Sequence, residues 1–125
     1  MGTCPNEVEG DMQLEHIIQN KVMVELSQAG FTPYRMVVGT YYTKTLNPIK
    51  VGIEGTPDLL VLKDDGQVFW VEMKTEKKGS RLRKAQEDYH AFLKSINHRV
   101  YVVRSIEDIE KVIAIEKEKE SICHL

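Results

Sequence analysis

Two short apolar stretches, residues 58–62 and 67–73, flank Asp64-Asp65-Gly66 and carry acids at their far ends: Asp58 on one side, Glu72-Met73-Lys74 on the other. Runs of Leu, Val, Phe and Trp of that length read as strands. Asp-Asp-Gly suits a three-residue hairpin turn with glycine at the position of positive φ. In an antiparallel ribbon closed by that turn, partner numbers sum to 130, so Leu60 faces Trp70 and Asp58 faces Glu72. Opposed Cβ atoms lie about 4.5–5.5 Å apart. Two like charges at that separation repel by roughly 3 kcal/mol at an effective dielectric near 20. The repulsion is removed by protonating one acid, by slipping the register, or by placing a divalent cation between the oxygens. Lys74, two residues beyond Glu72, points to the same face and adds a positive group beside the acids. Oxygen donors with no His or Cys nearby in the sequence favour Mg²⁺, with Mn²⁺ as a substitute, over Zn²⁺. An exposed ribbon end with solvated charges is the plainer alternative, because Glu-x-Lys alone is a common tripeptide.

The rest of the chain bounds the setting. With 125 residues, 42% apolar and 29% charged, it has the length and composition of one soluble globular domain. That domain is expected to span 1–125, with a core over about 12–117 and flexible ends at 1–10 and 118–125. No apolar run reaches the roughly 20 residues of a membrane span and no signal pattern opens the chain, so a cytoplasmic location is expected. Cys4 and Cys123 lie near opposite ends and belong to no metal-ligand cluster. The net charge of −2 argues against a general nucleic-acid coat protein, yet 74–84 holds six bases (Lys74, Lys77, Lys78, Arg81, Arg83, Lys84) against the single acid Glu76. Phosphates could dock there, although a solvated helix start would look the same.

Periodicity predicts a helix over 12–29, with Leu14, Ile18, Val22 and Leu26 on its apolar face, Asp11 as N-cap and Gly30 as the stop. The β-branched and aromatic residues 37–43 predict a strand, followed by a loop up to Pro57. A helix is expected over 80–96, a strand over 100–103 and a last helix from Ser105 towards Lys117. On the first helix Glu15 falls at the edge of the apolar face, where an acid is unexpected, and Glu25 falls on that face too. On the 80–96 helix Gln86 lies on the buried face, either as a site residue or as a core amide bonded to backbone. The four histidines, His16, His90, His98 and His124, are scattered, and none is assigned a catalytic part, although His90 lies one turn beyond Gln86.

Gly55-Thr56-Pro57-Asp58, thirteen residues, Glu72-Met73-Lys74, then Gln86-Glu87-Asp88-Tyr89 on a following helix resembles the PD-(D/E)XK nuclease superfamily, and within it the VRR-Nuc branch. The resemblance covers about residues 12–104. It implies an α/β, restriction-endonuclease-like core, a mixed central sheet flanked by helices. It further implies Asp58, Glu72, the Met73 carbonyl and Glu15 as metal ligands, with Lys74 acting on water or phosphate. Gln86 and Tyr89 would be the QxxY pair bordering the site, and Lys77, Lys78, Arg81, Lys84 and Tyr89 would meet DNA. Stand-alone domains this short resemble phage-borne ones, and relatives include homodimeric resolvases of four-way (Holliday) junctions, which places the expected partner among branched, repair-type DNA. No membrane partner or nucleotide cofactor is implied. A flap- or end-trimming nuclease and a non-catalytic module that binds nucleic-acid structures are the alternative readings.

Overall fold

The computed structural model describes residues 7–74 and 82–123, with side chains described over 16–74 and 82–119. Its centre is the expected ribbon: β4 (Leu59–Leu62) pairs antiparallel with β5 (Val68–Met73) in the register Leu59↔Val71, Leu60↔Trp70. The turn closes through Lys63 N–H to the Gln67 carbonyl (2.9 Å) and Gly66 N–H to the Lys63 carbonyl (3.2 Å), with Gly66 at φ 85°. The Asp65 carboxylate accepts the Gln67 N–H at 2.9 Å.

Around this ribbon the sheet runs β1-β4-β5-β6, where β1 is Thr32–Arg35 and β6 is Arg99–Val103. β1 is antiparallel to β4, and β6 is parallel to β5, so the sheet is mixed. The parallel pair requires a crossover. It contains the helix α2, Lys84–Ser95.

Alternation along β5 sorts the two faces. Phe69 and Val71 join Leu59 and Val61 in one core with Val22 and Leu26 of α1 (Glu7–Gln28) and with Ile109 and Val112 of α3 (Ile106–Cys123). Trp70 and Glu72 point the other way, towards α2 and the turn after it, and Trp70 Nε1 donates to His98 Nδ1 at 2.8 Å. Helices thus cover both faces, and the central strand β5 is buried along most of its length.

At the turn end of the ribbon α3 is held by a buried ionic cluster. The Glu116 carboxylate, fully buried, accepts Lys63 Nζ (3.1 Å), Arg99 Nε (2.6 Å) and Tyr101 Oη (2.6 Å). Burial alone would raise its pKa, but the hydrogen bonds from Arg99, Tyr101 and Lys63 bring it below the ordinary value.

Several local expectations change. Helix α1 begins at Glu7, so Asp11 lies inside it and is not its N-cap. The strand expected over 37–43 is shortened to β2, Gly39–Tyr42. The supposed loop after it contains a further strand, β3 (Pro48–Val51), which pairs with β2 as a separate hairpin. Its register, Tyr41↔Ile49 and Tyr42↔Pro48, is set by a turn at 43–47 that no Asn-Gly or Asp-Gly signal marks. Helices α1 and α3 also run further than their periodic stretches, to Glu7 and Cys123, because helical hydrogen bonding continues past the apolar stripe. Among the described residues no helix is long and apolar enough to cross a membrane.

Candidate active site

The site forms where β4 begins and β5 ends, against the first turns of α2. The loop before β4 reaches it through Gly55, which has φ 94°; a Cβ built there would lie 2.1 Å from the Ala85 carbonyl oxygen. Only glycine permits that approach. It presses Gly55-Thr56-Pro57-Asp58 onto the helix that carries Gln86. Thr56 Oγ1 donates to the Ile53 carbonyl at 2.6 Å, and Pro57 is fully buried, which fixes the segment leading into Asp58.

Asp58 stands one step beyond the last ladder pair, opposite Glu72 in the same register. Its Oδ2 accepts the Met73 N–H at 2.8 Å, and its carbonyl accepts the Met36 N–H at 2.8 Å. The carboxyl is therefore bonded to the end of β5 at the Met73 peptide. Lys74 follows on the same strand end, half-buried, with its N–H bonded to the Val103 carbonyl at 2.9 Å.

Glu72 is the unusual group. It is 2% exposed, and burial, then the charge of Asp58, raise its pKa to about 7 despite the opposing effects of the Lys74 charge, the Asp58 backbone N–H and the Arg83 charge. Its Oε1 accepts Gln86 Nε2 at 2.8 Å. Gln86 is used at both ends, because its Oε1 accepts the Arg83 backbone N–H at 2.9 Å and so closes the start of α2. The buried amide is thus bonded both to backbone and to the Glu72 carboxyl.

Glu72 Oε2 has a buried neighbour but no hydrogen-bond partner among the described residues. His90 Nε2 lies 3.7 Å away and is likewise buried without a partner. Burial, then the charges of Lys94 and Lys74, depress the His90 pKa, which favours neutral imidazole. This corrects the expectation of a site with no histidine nearby. The signal was present in the sequence: His90 lies four residues beyond Gln86 and so shares its helix face.

The remaining predicted residues are placed as follows. Glu15 is on α1, with its side chain outside the described residues, and Lys77, Lys78 and Arg81 lie in 75–81, also outside them. Lys84 is exposed and pairs with Asp88 at 3.1 Å on its own helix. Tyr89 is half-buried on α2 with its ring 5.7 Å from that of Phe92. Among the described residues no three His, Cys, Asp or Glu side chains converge into a ready metal cluster. What the geometry does offer is an acid opposite a second, buried acid whose free oxygen faces an imidazole.

A mixed sheet covered by helices on both faces, with acids at the end of its central ribbon, defines the class: a restriction-endonuclease-like fold. A solved structure of a VRR_NUC domain matches it with TM-score 0.60 over 80% of this chain and 94% of that one, at 21% identity, a level that speaks for the fold alone. The family model "VRR-NUC domain" matches residues 15–107, and the chain belongs to that family of nuclease-type domains. No curated protein matches it.

Proposed function

We propose that this protein is a Mg²⁺-dependent DNA endonuclease, with Mn²⁺ able to substitute, and that Asp58 and Glu72 are its cation ligands. The observation that carries the reading is Glu72: a carboxyl buried to 2% exposure, set opposite Asp58, with one oxygen unpartnered among the described residues. Burying a carboxyl beside another acid is unfavourable unless something positive compensates. A hard dication is such a group, and the donor chemistry suits one: two carboxylates and the adjoining Met73 carbonyl, with Glu15, whose side chain lies outside the described residues, as the further ligand that the family resemblance implies.

When bound, the ion would polarise a phosphate oxygen and acidify a water. The chain's own residues have separate tasks. Gln86 holds Glu72 Oε1 and leaves the other oxygen available. Asp58, bonded to the Met73 N–H, keeps the two ligand-bearing strand ends in register. Lys74 supplies a fixed positive charge for the phosphate or orients the water. Lys77, Lys78, Arg81 and Lys84, with Tyr89, would hold the DNA backbone.

For the substrate we propose branched DNA, four-way junctions in particular, cut by a homodimer whose two sites are related by a two-fold axis. Purified protein incubated with linear, flap and four-way DNA, with and without Mg²⁺, tests the whole reading. Asp58→Ala and Glu72→Ala are expected to abolish cutting while DNA binding stays within a few-fold of wild type. Cutting at the wild-type rate by either variant removes the site assignment, preference for flaps or ends removes the junction assignment, and sedimentation as a monomer on junctions removes the dimer.

A further inference from the structure

The β2–β3 hairpin stands apart from the sheet. All eight of its strand residues are exposed, and it makes no substantial contact with any other described helix or strand. An isolated two-stranded hairpin is at best marginal in water, yet this one is built to hold its shape. At the tip the Thr43 N–H bonds to the Asn47 carbonyl (3.0 Å), and Thr43 Oγ1 accepts the Asn47 N–H (3.1 Å). At the base Gly52 has φ 75°, and a Cβ there would lie 2.6 Å from the Val37 carbonyl oxygen.

Its composition is equally distinct. From Phe31 to Ile53 there is no Asp or Glu, although the chain contains 19 of them, while Arg35, Lys44 and Lys50 are cationic. Three of the five tyrosines, Tyr34, Tyr41 and Tyr42, fall in the same stretch, and each is at least half exposed. The hairpin also borders the candidate site: its base, Gly39, Thr40, Lys50 and Val51, lines a cleft of about 640 Å³ whose other walls include Asp58, Arg83 and Gln86. The acids of that cleft, Glu54 and Asp58, lie outside the hairpin.

Cross-strand partners share a face. Thr40↔Lys50 and Tyr42↔Pro48 therefore form one side, and Gly39↔Val51 and Tyr41↔Ile49 the other. The first combines a hydroxyl, a cation and an aromatic ring 66% exposed; the second holds Tyr41, 50% exposed, among glycine and aliphatic side chains and has no cation. We infer that the Thr40–Tyr42–Lys50 face of the hairpin is a strand-binding wing that receives the substrate beside the cut: Lys50 and Thr40 on phosphate, the Tyr42 ring stacked on an unpaired or splayed base. The inference rests on the nuclease reading above and deepens it. Stacking on an exposed ring is sequence-tolerant, and it needs single-stranded or opened DNA, which branched substrates provide. A second copy is a poorer occupant. A two-fold contact places a patch against itself, bringing these cationic strands together with no carboxylate of their own to pair.

The test is fluorescence anisotropy of the full chain with a labelled single strand and a four-way junction, Ca²⁺ replacing Mg²⁺, for Y42A, Y42F, K50A and Y41A, each checked for an unchanged thermal melt. Y42A and K50A are expected to weaken binding at least about fivefold, Y42F to bind as wild type, and Y41A to lose less than about twofold. K50A should also lower the salt slope of binding by about one. Wild-type affinity for both Y42A and K50A overturns the wing while the nuclease reading stands, provided the parent binds and cuts. A loss in Y41A equal to that in Y42A overturns the choice of face. Altered sedimentation of Y42A or K50A with DNA affinity unchanged assigns the surface to a second copy. A parent protein that neither binds nor cuts DNA removes the nuclease reading and the wing together.

Discussion

His90 Nε2 lies 3.7 Å from Glu72 Oε2 inside the protein, and neither atom has a hydrogen-bond partner among the described residues. The separation is too long for a hydrogen bond. Two polar atoms left facing each other in the interior are costly, and here they adjoin the carboxylate proposed to hold the cation. Gln86 and His90, one helical turn apart on α2, flank the two oxygens of Glu72 as a pair. A small approach of the ring would let a neutral imidazole donate Nε2–H to the ionised carboxylate.

Replacing His90 with Leu removes that donor, and we expect Mn²⁺ affinity to fall about tenfold, the usual scale for groups that orient a ligand. His90→Gln, which can place an N–H in a similar position, should recover most of it. Mn²⁺ titration followed by electron paramagnetic resonance reads both without reference to turnover. Equal affinity in wild type and His90→Leu would show that the ring plays no part in ligand placement.

The Glu72 pKa of about 7 makes a prediction for the cation-free protein. The folded state holds the proton between about pH 4.5 and 7, where the unfolded chain has lost it. Stability must therefore fall as pH rises through that window, by roughly 3 kcal/mol from this group. Denaturant unfolding in a chelator from pH 5 to 8 should show the decline, and Glu72→Gln should flatten it. An identical pH profile in the two proteins would contradict the burial of an ionisable Glu72.

Gly55 and Gly66 both have positive φ, but only Gly55 is pressed against a backbone, that of Ala85. Gly66→Ala meets nothing within 4 Å and should cost about 1–2 kcal/mol, the strain of a left-handed residue. Gly55→Ala adds a clash to that strain. It should cost more than about 2 kcal/mol and, by moving the loop that carries Asp58, reduce cutting as well. Thermal melts of the two variants side by side decide the matter, and equal losses would refute the close approach.

Glu116→Ala strands Lys63 and Arg99 without their shared carboxylate and is expected to destabilise by about 3–5 kcal/mol. Because the folded-state pKa of Glu116 is lowered, its contribution is complete above the unfolded value near 4.5 and is lost as pH falls below it. Urea unfolding at pH 7 and at pH 3.5 should show wild type and variant converging in acid.

The sequence by itself determined the ribbon and what it carries. Two apolar runs of strand length and Asp64-Asp65-Gly66 set the register, and the register alone places Asp58 opposite Glu72, because side-chain direction in a strand is fixed by parity. It also identified the faces of α1 and α2, since a helix turns 100° per residue whatever its surroundings. The tertiary structure decided what meets across elements. That Gln86 grips Glu72, that His90 faces its other oxygen, that Gly55 lies against Ala85 and that Glu116 gathers Lys63, Arg99 and Tyr101 depends on how helices settle on the sheet, and no local pattern encodes such distances. The exposure of Tyr41 and Tyr42 is of the same kind: residues of high strand propensity read alike from sequence whether a strand joins the core or stands out from it.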